Sequence, residues 1–212
     1  MRPRTPVPIP AHPDAVVESE QHAWTGRHTV DLIRFRHRRF DGAMSAPRTW
    51  ELWRRGRAVG LVPYDPVADA VVLIEQFRLP ALAAGIAPVL VELPAGLMEP
   101  GEDPETAMRR ELAEETRLTC GRMEHIGGYL LSAGSSDEVL DLYVGEIRVP
   151  PEGTLGLAGA IDEGEDIRAS VWPADKAIEL ALSGATPNSV TAIGLLWLAA
   201  KRADLRKKWS QP

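Results

Sequence analysis

Gly96-Leu97-Met98-Glu99-Pro100-Gly101-Glu102-Asp103-Pro104-Glu105-Thr106-Ala107-Met108-Arg109-Arg110-Glu111-Leu112-Ala113-Glu114-Glu115-Thr116-Arg117-Leu118 is the stretch that decides how the rest of the chain is read. Asp103-Pro104 predicts a helix start: a side chain that can accept from free backbone N–H groups, then a proline where its missing N–H costs nothing. Good helix formers carry the helix to about Thr116. At roughly 100° per residue, Glu111, Glu114 and Glu115 fall within about one third of the circumference. Met108 and Leu112 lie beside that arc, placed to face a core, and Arg110 and Glu114 are spaced i, i+4 for an ion pair. Three carboxylates on one face repel one another. A divalent cation turns that repulsion into ligation, and hard oxygen donors with no histidine or cysteine nearby point to Mg²⁺ or Mn²⁺ rather than zinc. A solvated acidic helix face is the other reading of the same three glutamates.

The whole chain sets bounds around this stretch. Its 212 residues suit one full domain plus an extension. A formal charge of −6 lacks the electrostatic footprint of a nucleic-acid binder. A single cysteine, Cys120, excludes an intramolecular disulfide framework and fits a reducing compartment. The longest apolar run, Ala192 to Ala200, is too short to span a bilayer. The N-terminal segment has arginines and prolines but no apolar core, so no signal peptide and a cytoplasmic location are expected.

Three segments are expected. Residues 1–14 hold five prolines and read as a mobile arm. Residues 15–56 read as a small antiparallel β domain, with strands around Val30–Phe35 and Thr49–Trp53 and a turn at Phe40-Asp41-Gly42. A sheet of this size cannot bury enough surface to stand alone, so it needs the rest of the chain or another subunit. Residues 57–212 form the main domain. Strands are expected over 58–63, 70–77, 88–93, 124–131, 139–147 and 167–172, with a turn at Asp65-Pro66 and a loop over 148–166. Val71-Val72-Leu73-Ile74 is continuously apolar, as in a strand buried on both faces. Helices follow over 173–183 and from Pro187 or Asn188 to about Leu205. Lys201, Arg202, Arg206, Lys207 and Lys208 suit the dipole at the end of that last helix.

Residues 96–118 resemble the Nudix box, G-x5-E-x7-R-E-U-x-E-E-x-G-U with U aliphatic. Gly96, Glu102, Arg110, Glu111, Leu112, Glu114, Glu115 and Leu118 match. The six non-aliphatic matches arise by chance at roughly 10⁻⁷ per start position, which favours the metal reading over the solvated face. The second glycine of the box is Arg117 here; a left-handed arginine costs about 1 kcal/mol, or the helix runs on further. Ile33–Arg38, Pro63–Val67, Val72–Arg78, Glu92–Gly96, Gly156–Ala158, Glu165–Arg168 and the region of Trp197-Leu198 are similar to bacterial ADP-ribose pyrophosphatases of the Nudix superfamily. The resemblance covers roughly residues 24 to 209.

The resemblance implies an α/β fold: a Nudix α/β/α sandwich with a mixed sheet, preceded by a small antiparallel β domain exchanged across a homodimer. It implies Mg²⁺-dependent hydrolysis of ADP-ribose to AMP and ribose 5-phosphate, with Mn²⁺ as a substitute. By the same resemblance the metal set is the Ala95 carbonyl, Glu111 and Glu115, with Glu114 as a further candidate, and Arg110 orients the glutamates. On the substrate side it assigns Arg78, Gly96, Met98 and Glu138, with Glu51 recognising adenine. An aromatic residue that packs on adenine in the relative falls at Arg27, and Trp50 offers a replacement platform, its other reading being sheet packing. A proline tied to ADP-ribose preference falls at Ala133. Register places the water-activating base at Glu163, with Glu165 as the alternative. His28 and His37 belong to no ligand-spaced cluster and read as structural. The expected partner is a small nucleotide sugar, not nucleic acid or membrane. Two other functions compete: a pyrophosphatase for another nucleotide sugar such as GDP-mannose, and a nucleotide-sensing module without hydrolysis. The complete glutamate set argues against the sensor.

Overall fold

The computed structural model describes residues 7–150, 153–159 and 165–209. The chain divides into two units. One takes the chain up to Arg57 together with Leu130–Val139; the other takes Ala58–Tyr129 and the chain from Leu140 onward.

The first unit is a three-stranded antiparallel sheet in the order β1 (Ala15–Thr25), β2 (Thr29–His37), β3 (Arg48–Arg54). The second and third strands lie where the sequence places them. The first was not foreseen: it is exposed along nearly its whole length, so its residues show no apolar alternation to read. Polar contacts hold this sheet as much as apolar ones. The buried Arg54 guanidinium donates to Asp31 at 2.8 Å, to Glu20 at 3.2 Å and to the Val7 carbonyl at 3.2 Å. Of the arm expected over residues 1–14, residues 1–6 lie outside the described set, while Asp14 pairs with Arg38 at 2.9 Å.

The second unit is built on an eight-stranded sheet. Its strands are β4 (Arg57–Asp65), β5 (Ala70–Phe77), β6 (Val89–Glu92), β7 (Ala95–Leu97), β8 (Met123–Leu130), β9 (Val139–Glu146), β10 (Thr154–Ala158) and β11 (Ile167–Pro173). The order is β10-β11-β5-β4-β9-β8, with β6 on β5 and β7 on β4. The sheet is mixed: most pairs are antiparallel, but the Val139 and Ile147 amides reach the Gly56 and Tyr64 carbonyls in ascending order, so β4 and β9 run parallel. Helices α1 (Leu79–Ala83), α2 (Pro104–Thr116), α3 (Ala174–Leu182) and α4 (Ser189–Trp209) complete the unit.

Period-two alternation along β4 makes three layers. Val59 and Leu61 join Val72, Ile74, Met108 and Leu112 in one fully buried cluster against α2. Gly60 faces the other way, toward Leu140, Leu142 and Val190. There α4 comes so close that a Cβ on Gly194 would lie 2.6 Å from Leu93 and 2.8 Å from Val62. Val71–Ile74 are buried without remainder, as the continuous apolar run requires.

One local arrangement positions the site. β4 and β5 pair only through Tyr64↔Val71 and Asp65↔Ala70. They then diverge, and the segment from Val89 to Leu97 enters the gap. β6 pairs with β5 from Ile74↔Glu92 to Phe77↔Val89, and β7 pairs with β4 from Ala58↔Leu97 to Gly60↔Ala95. The short elements α1, β7 and β10 were not read from sequence, β10 lying within the expected 148–166 loop. The basic residues of α4 do more than suit its dipole: Arg202 and Arg206 hold Asp69, and Arg206 donates to the Pro66 carbonyl.

Helix α2 starts as expected, with Asp103 accepting from the Thr106 amide and Pro104 at the first position. It ends at Arg117 with φ 61° and ψ 17°, so the chain takes the left-handed cap rather than a longer helix. Arg117→Gly should therefore raise stability by about 0.5 to 1 kcal/mol in equilibrium denaturation. An unchanged or lower stability would show that the arginine side chain compensates its own backbone strain.

Candidate active site

The site is assembled on α2 and the strand segment beside it. Met108 and Leu112 are driven into the core, and that rotation fixes where the glutamates point. The arc expected for Glu111, Glu114 and Glu115 is split. Glu115 is 3% exposed, and the Glu111 and Glu114 side chains are 13% and 42% exposed. Glu111 and Glu115 turn inward as neighbours, and Glu114 stands at the rim.

Arg110 ties Glu111 and Glu114 to Glu102. It forms a fork with Glu102 through Nε and Nη2, both at 3.0 Å. Its Nη1 donates to Glu111 at 2.9 Å and Glu114 at 3.2 Å, the i, i+4 pair read from sequence. Glu102 in turn accepts from the Glu99 amide at 2.9 Å, so the loop before the helix is closed onto the arginine. The hydrogen bonds from Arg110 hold the Glu102 carboxyl below its usual range, and the Glu102 contact raises the Arg110 guanidinium. The role of Glu102 was not assigned from sequence; its spacing of eight from Arg110 is not a helical one, and only the folded loop brings them together.

β7 supplies the other wall. The Ala95 amide donates to Glu115 Oε2 at 2.9 Å. A Cβ on Gly96 would lie 2.0 Å from the Glu111 carboxyl carbon, so only glycine leaves room for that side chain. Met98 packs against the apolar cluster around α2. Arg78 sits at the end of β5, held at 2.8 Å by the buried Glu92 rather than by Glu75, which pairs with Arg168.

Burial dominates the electrostatics. It pushes Glu111 up to about 7, with Arg110 opposing and Glu114 and Glu165 adding to the rise. It drives Glu115 well above the usual carboxylate range, against the Ala95 amide and Arg78, with Glu111 and Glu165 reinforcing it. Two neighbouring carboxylates that resist ionisation where they stand are a hard oxygen-donor set suited to a divalent cation. Among the described residues no group of three or more His, Cys, Asp or Glu side chains converges closely enough to hold an ion by itself. Glu165 lies close enough to both glutamates to influence them, whereas Glu163 lies outside the described residues.

The remaining candidates belong to the first unit. Trp50 stacks on Phe35 with ring centroids 5.8 Å apart and donates to the Gly134 carbonyl at 2.9 Å, yet stays half exposed. Glu51 is exposed on β3. Glu138 is buried and takes a fork from Arg55 at 3.1 and 3.0 Å. Arg55 also lies 4.7 Å over the Trp53 ring, and His28 is hydrogen-bonded to it at 3.0 Å. His28 and His37 both lie in the first unit as well.

Known proteins resemble this chain over most of its length. The NUDIX domain model matches residues 54–189. An ADP-ribose pyrophosphatase of Escherichia coli strain K12 is 36% identical over 197 residues, covering 93% of each chain. An ADP-ribose pyrophosphatase of Haemophilus influenzae is 33% identical over 201 residues, covering 93% of this chain and 92% of its own. A solved structure described as an ADP compounds hydrolase aligns over 95% of this chain and 99% of its own, with a TM-score of 0.67 at 18% identity, which supports the fold.

The Glu111 environment has a pH signature. Between 4.5 and about 7 the folded chain keeps a proton that the unfolded chain has released. Its stabilising contribution is fully present below 4.5 and is lost as pH rises through about 7. In chelator-treated protein, denaturation midpoints should fall across that window, and Glu111→Gln should flatten the slope. Identical slopes for both proteins would place the proton elsewhere.

Proposed function

The chain belongs to the Nudix family, and from that premise we propose that it hydrolyses the diphosphate linkage of ADP-ribose to AMP and ribose 5-phosphate with Mg²⁺, Mn²⁺ serving as a substitute. The observation that carries the reading is the buried Glu111/Glu115 pair, Glu111 lying against Gly96 and held by Arg110, Glu115 held by the Ala95 amide. Nudix hydrolases use divalent metal ions. Glu111, Glu115 and the Ala95 carbonyl would hold the cation, with Glu114 at the rim as a further ligand. Bound there, it would neutralise diphosphate oxygens and acidify the attacking water.

The chain's own groups do the rest. Arg110 keeps the glutamates aimed at the ligand side and limits their mutual repulsion. Gly96 leaves room for the Glu111 carboxylate against the backbone, so a cation held there, and the phosphate it carries, would lie close to β7, and Met98 shapes the apolar edge of the same segment. Arg78 presents a guanidinium suited to phosphate or ribose oxygens. Glu163 takes the proton from the attacking water, with Glu165 as the alternative. On the first unit, Glu51 and Glu138 supply polar contacts to the nucleotide and Trp50 a stacking face. The exposed tryptophans Trp24, Trp50 and Trp53 support assembly as a homodimer in which residues 15–56 serve the partner's site, with 57–212 as the hydrolase domain. A cytoplasmic location fits the single cysteine and the nucleotide-sugar substrate.

Glu115→Gln keeps the volume and removes a charge, so turnover of ADP-ribose with Mg²⁺ should drop by about 10²-fold or more. ADP-ribose should lead a panel with GDP-mannose, NADH and dinucleoside polyphosphates. Mixing the Glu115→Gln chain with a Glu51→Ala chain should partly restore activity if sites are shared between subunits. Near-wild-type turnover by Glu115→Gln would remove that residue from the metal set, and a fully active monomer would remove the exchange.

A positioned general base is worth about 10²- to 10⁴-fold in rate. Glu163→Gln should lower kcat by about that factor with KM nearly intact, and Glu165→Gln should do much less. The reverse ranking in steady-state assays would move the base to Glu165.

A further inference from the structure

Glu92 is a buried acid at the end of β6 that the proposed chemistry does not use. Its carboxylate is only 4% exposed, and four side-chain donor contacts converge on it. Oε2 accepts from Arg78 Nε at 3.0 Å, Arg78 Nη2 at 2.8 Å and Gln76 Nε2 at 3.1 Å. Oε1 accepts from Asn188 Nδ2 at 2.8 Å. Asn188 cannot swap its amide ends without loss, because its Oδ1 already accepts from the Thr191 amide at 2.9 Å and the Thr191 hydroxyl at 3.1 Å. Every neighbour therefore presents N–H, and only an acceptor with no hydrogen of its own satisfies them all.

Among the described residues, Arg78 is gripped from one side only. Both side-chain hydrogen bonds it makes there fall on the same Glu92 oxygen, and the side chain remains 42% exposed. An arginine loses much rotamer freedom when a ligand fixes it. Here a buried carboxylate, itself fixed from β5 and from the start of α4, has already done so.

We propose that Glu92 is a positioning residue for substrate: it presets the Arg78 guanidinium so that its open edge meets an anionic or hydroxylated part of the nucleotide sugar. This rests on the reading of Arg78 as a substrate contact. Glu92 touches no substrate itself. A glutamine at this position would turn an NH₂ group against either Asn188 or Arg78, and Arg78 would be released to solvent.

The test is a kinetic cycle with ADP-ribose at saturating Mg²⁺. Arg78→Ala and Glu92→Gln should each raise KM by about ten-fold with kcat little changed, because a contact equal in ground and transition states acts on KM alone. The double variant should be no worse than either single, since both remove one interaction. Asp69→Asn weakens the ties from Arg202 and Arg206 to the β4–β5 turn without touching Glu92 or its partners, so it should lower the melting temperature and leave KM unchanged. If Arg78→Ala leaves KM unchanged, the reading of Arg78 fails. If Arg78→Ala raises KM but Glu92→Gln does not, or the two effects multiply, the positioning role alone is overturned. If Glu92→Gln does not fold, the wild-type protein decides by NMR. The Arg78 Nε–H signal, assigned by its loss in Arg78→Ala, should be protected from solvent exchange before ligand is added. Free exchange would overturn the proposal.

Discussion

The structure turns on the early parting of β4 and β5. Two adjacent antiparallel strands would ordinarily pair along their length, since every unpaired backbone group in a buried sheet costs free energy. Here they pair at two residues and separate, and the exposed ladders are satisfied by β6 and β7 instead. The chain between those two short strands is Leu93-Pro94, and even there the Pro94 carbonyl is used, accepting from the Leu61 amide at 3.0 Å. The inserted segment places the Ala95 amide and the bare Gly96 backbone against α2, while Glu92 comes beside Arg78. Backbone satisfaction in the sheet thus fixes the positions of both the carboxylate cluster and the arginine.

The cost of this placement is electrostatic. Burial opposes ionisation of both Glu111 and Glu115, reinforced by Glu114 and Glu165 at Glu111 and by Glu111 and Glu165 at Glu115. Apolar residues of similar size would give a more stable helix–sheet contact, as replacement of buried charges often does. A cation bound there, as proposed for this pair, would offset that cost. Arg110 alone does not neutralise the site, since it divides itself among Glu102, Glu111 and Glu114. Its fork with Glu102 also serves geometry, because it sets the loop that enters α2.

Much of this was legible from residues. Asp103-Pro104 announces the helix start by local chemistry, and Val71–Ile74 announce a central strand by hydrophobicity alone. Met108 and Leu112 announce the buried face of α2. What could not be read shares a different cause. β1 is exposed on both faces, and β7 and β10 are too short for a period to repeat, so their strand character comes from partners distant in sequence. The split among three glutamates was likewise hidden: helical spacing gives an arc, but how far the helix is rolled into the core decides which carboxylates are buried. Glu92 sits in the apolar run Val89-Leu90-Val91-Glu92-Leu93, and a lone acid in such a run is the one cue to it. Its partners Arg78 and Asn188 are 14 and 96 positions away.

Backbone strain separates structural from tolerated departures. Among the described residues, only Asp69 and Arg117 are non-glycine residues with positive φ, at 56° and 61°. Asp69 is compensated: its carboxylate accepts from the Tyr64 hydroxyl at 2.7 Å and from Arg202 and Arg206, and its carbonyl accepts from the Ala174 amide at 2.9 Å. Burial alone would raise its pKa, yet the hydrogen bonds from Arg202 and Tyr64 hold it low. The strained turn therefore ties β4–β5 to α3 and α4 at once. Arg117 is exposed, and among the described residues its strain is offset through the backbone, its amide reaching the Ala113 carbonyl at 2.9 Å. That bond is the one a glycine would make. The left-handed cap of α2 therefore forms at Arg117 without the glycine that the box pattern has there.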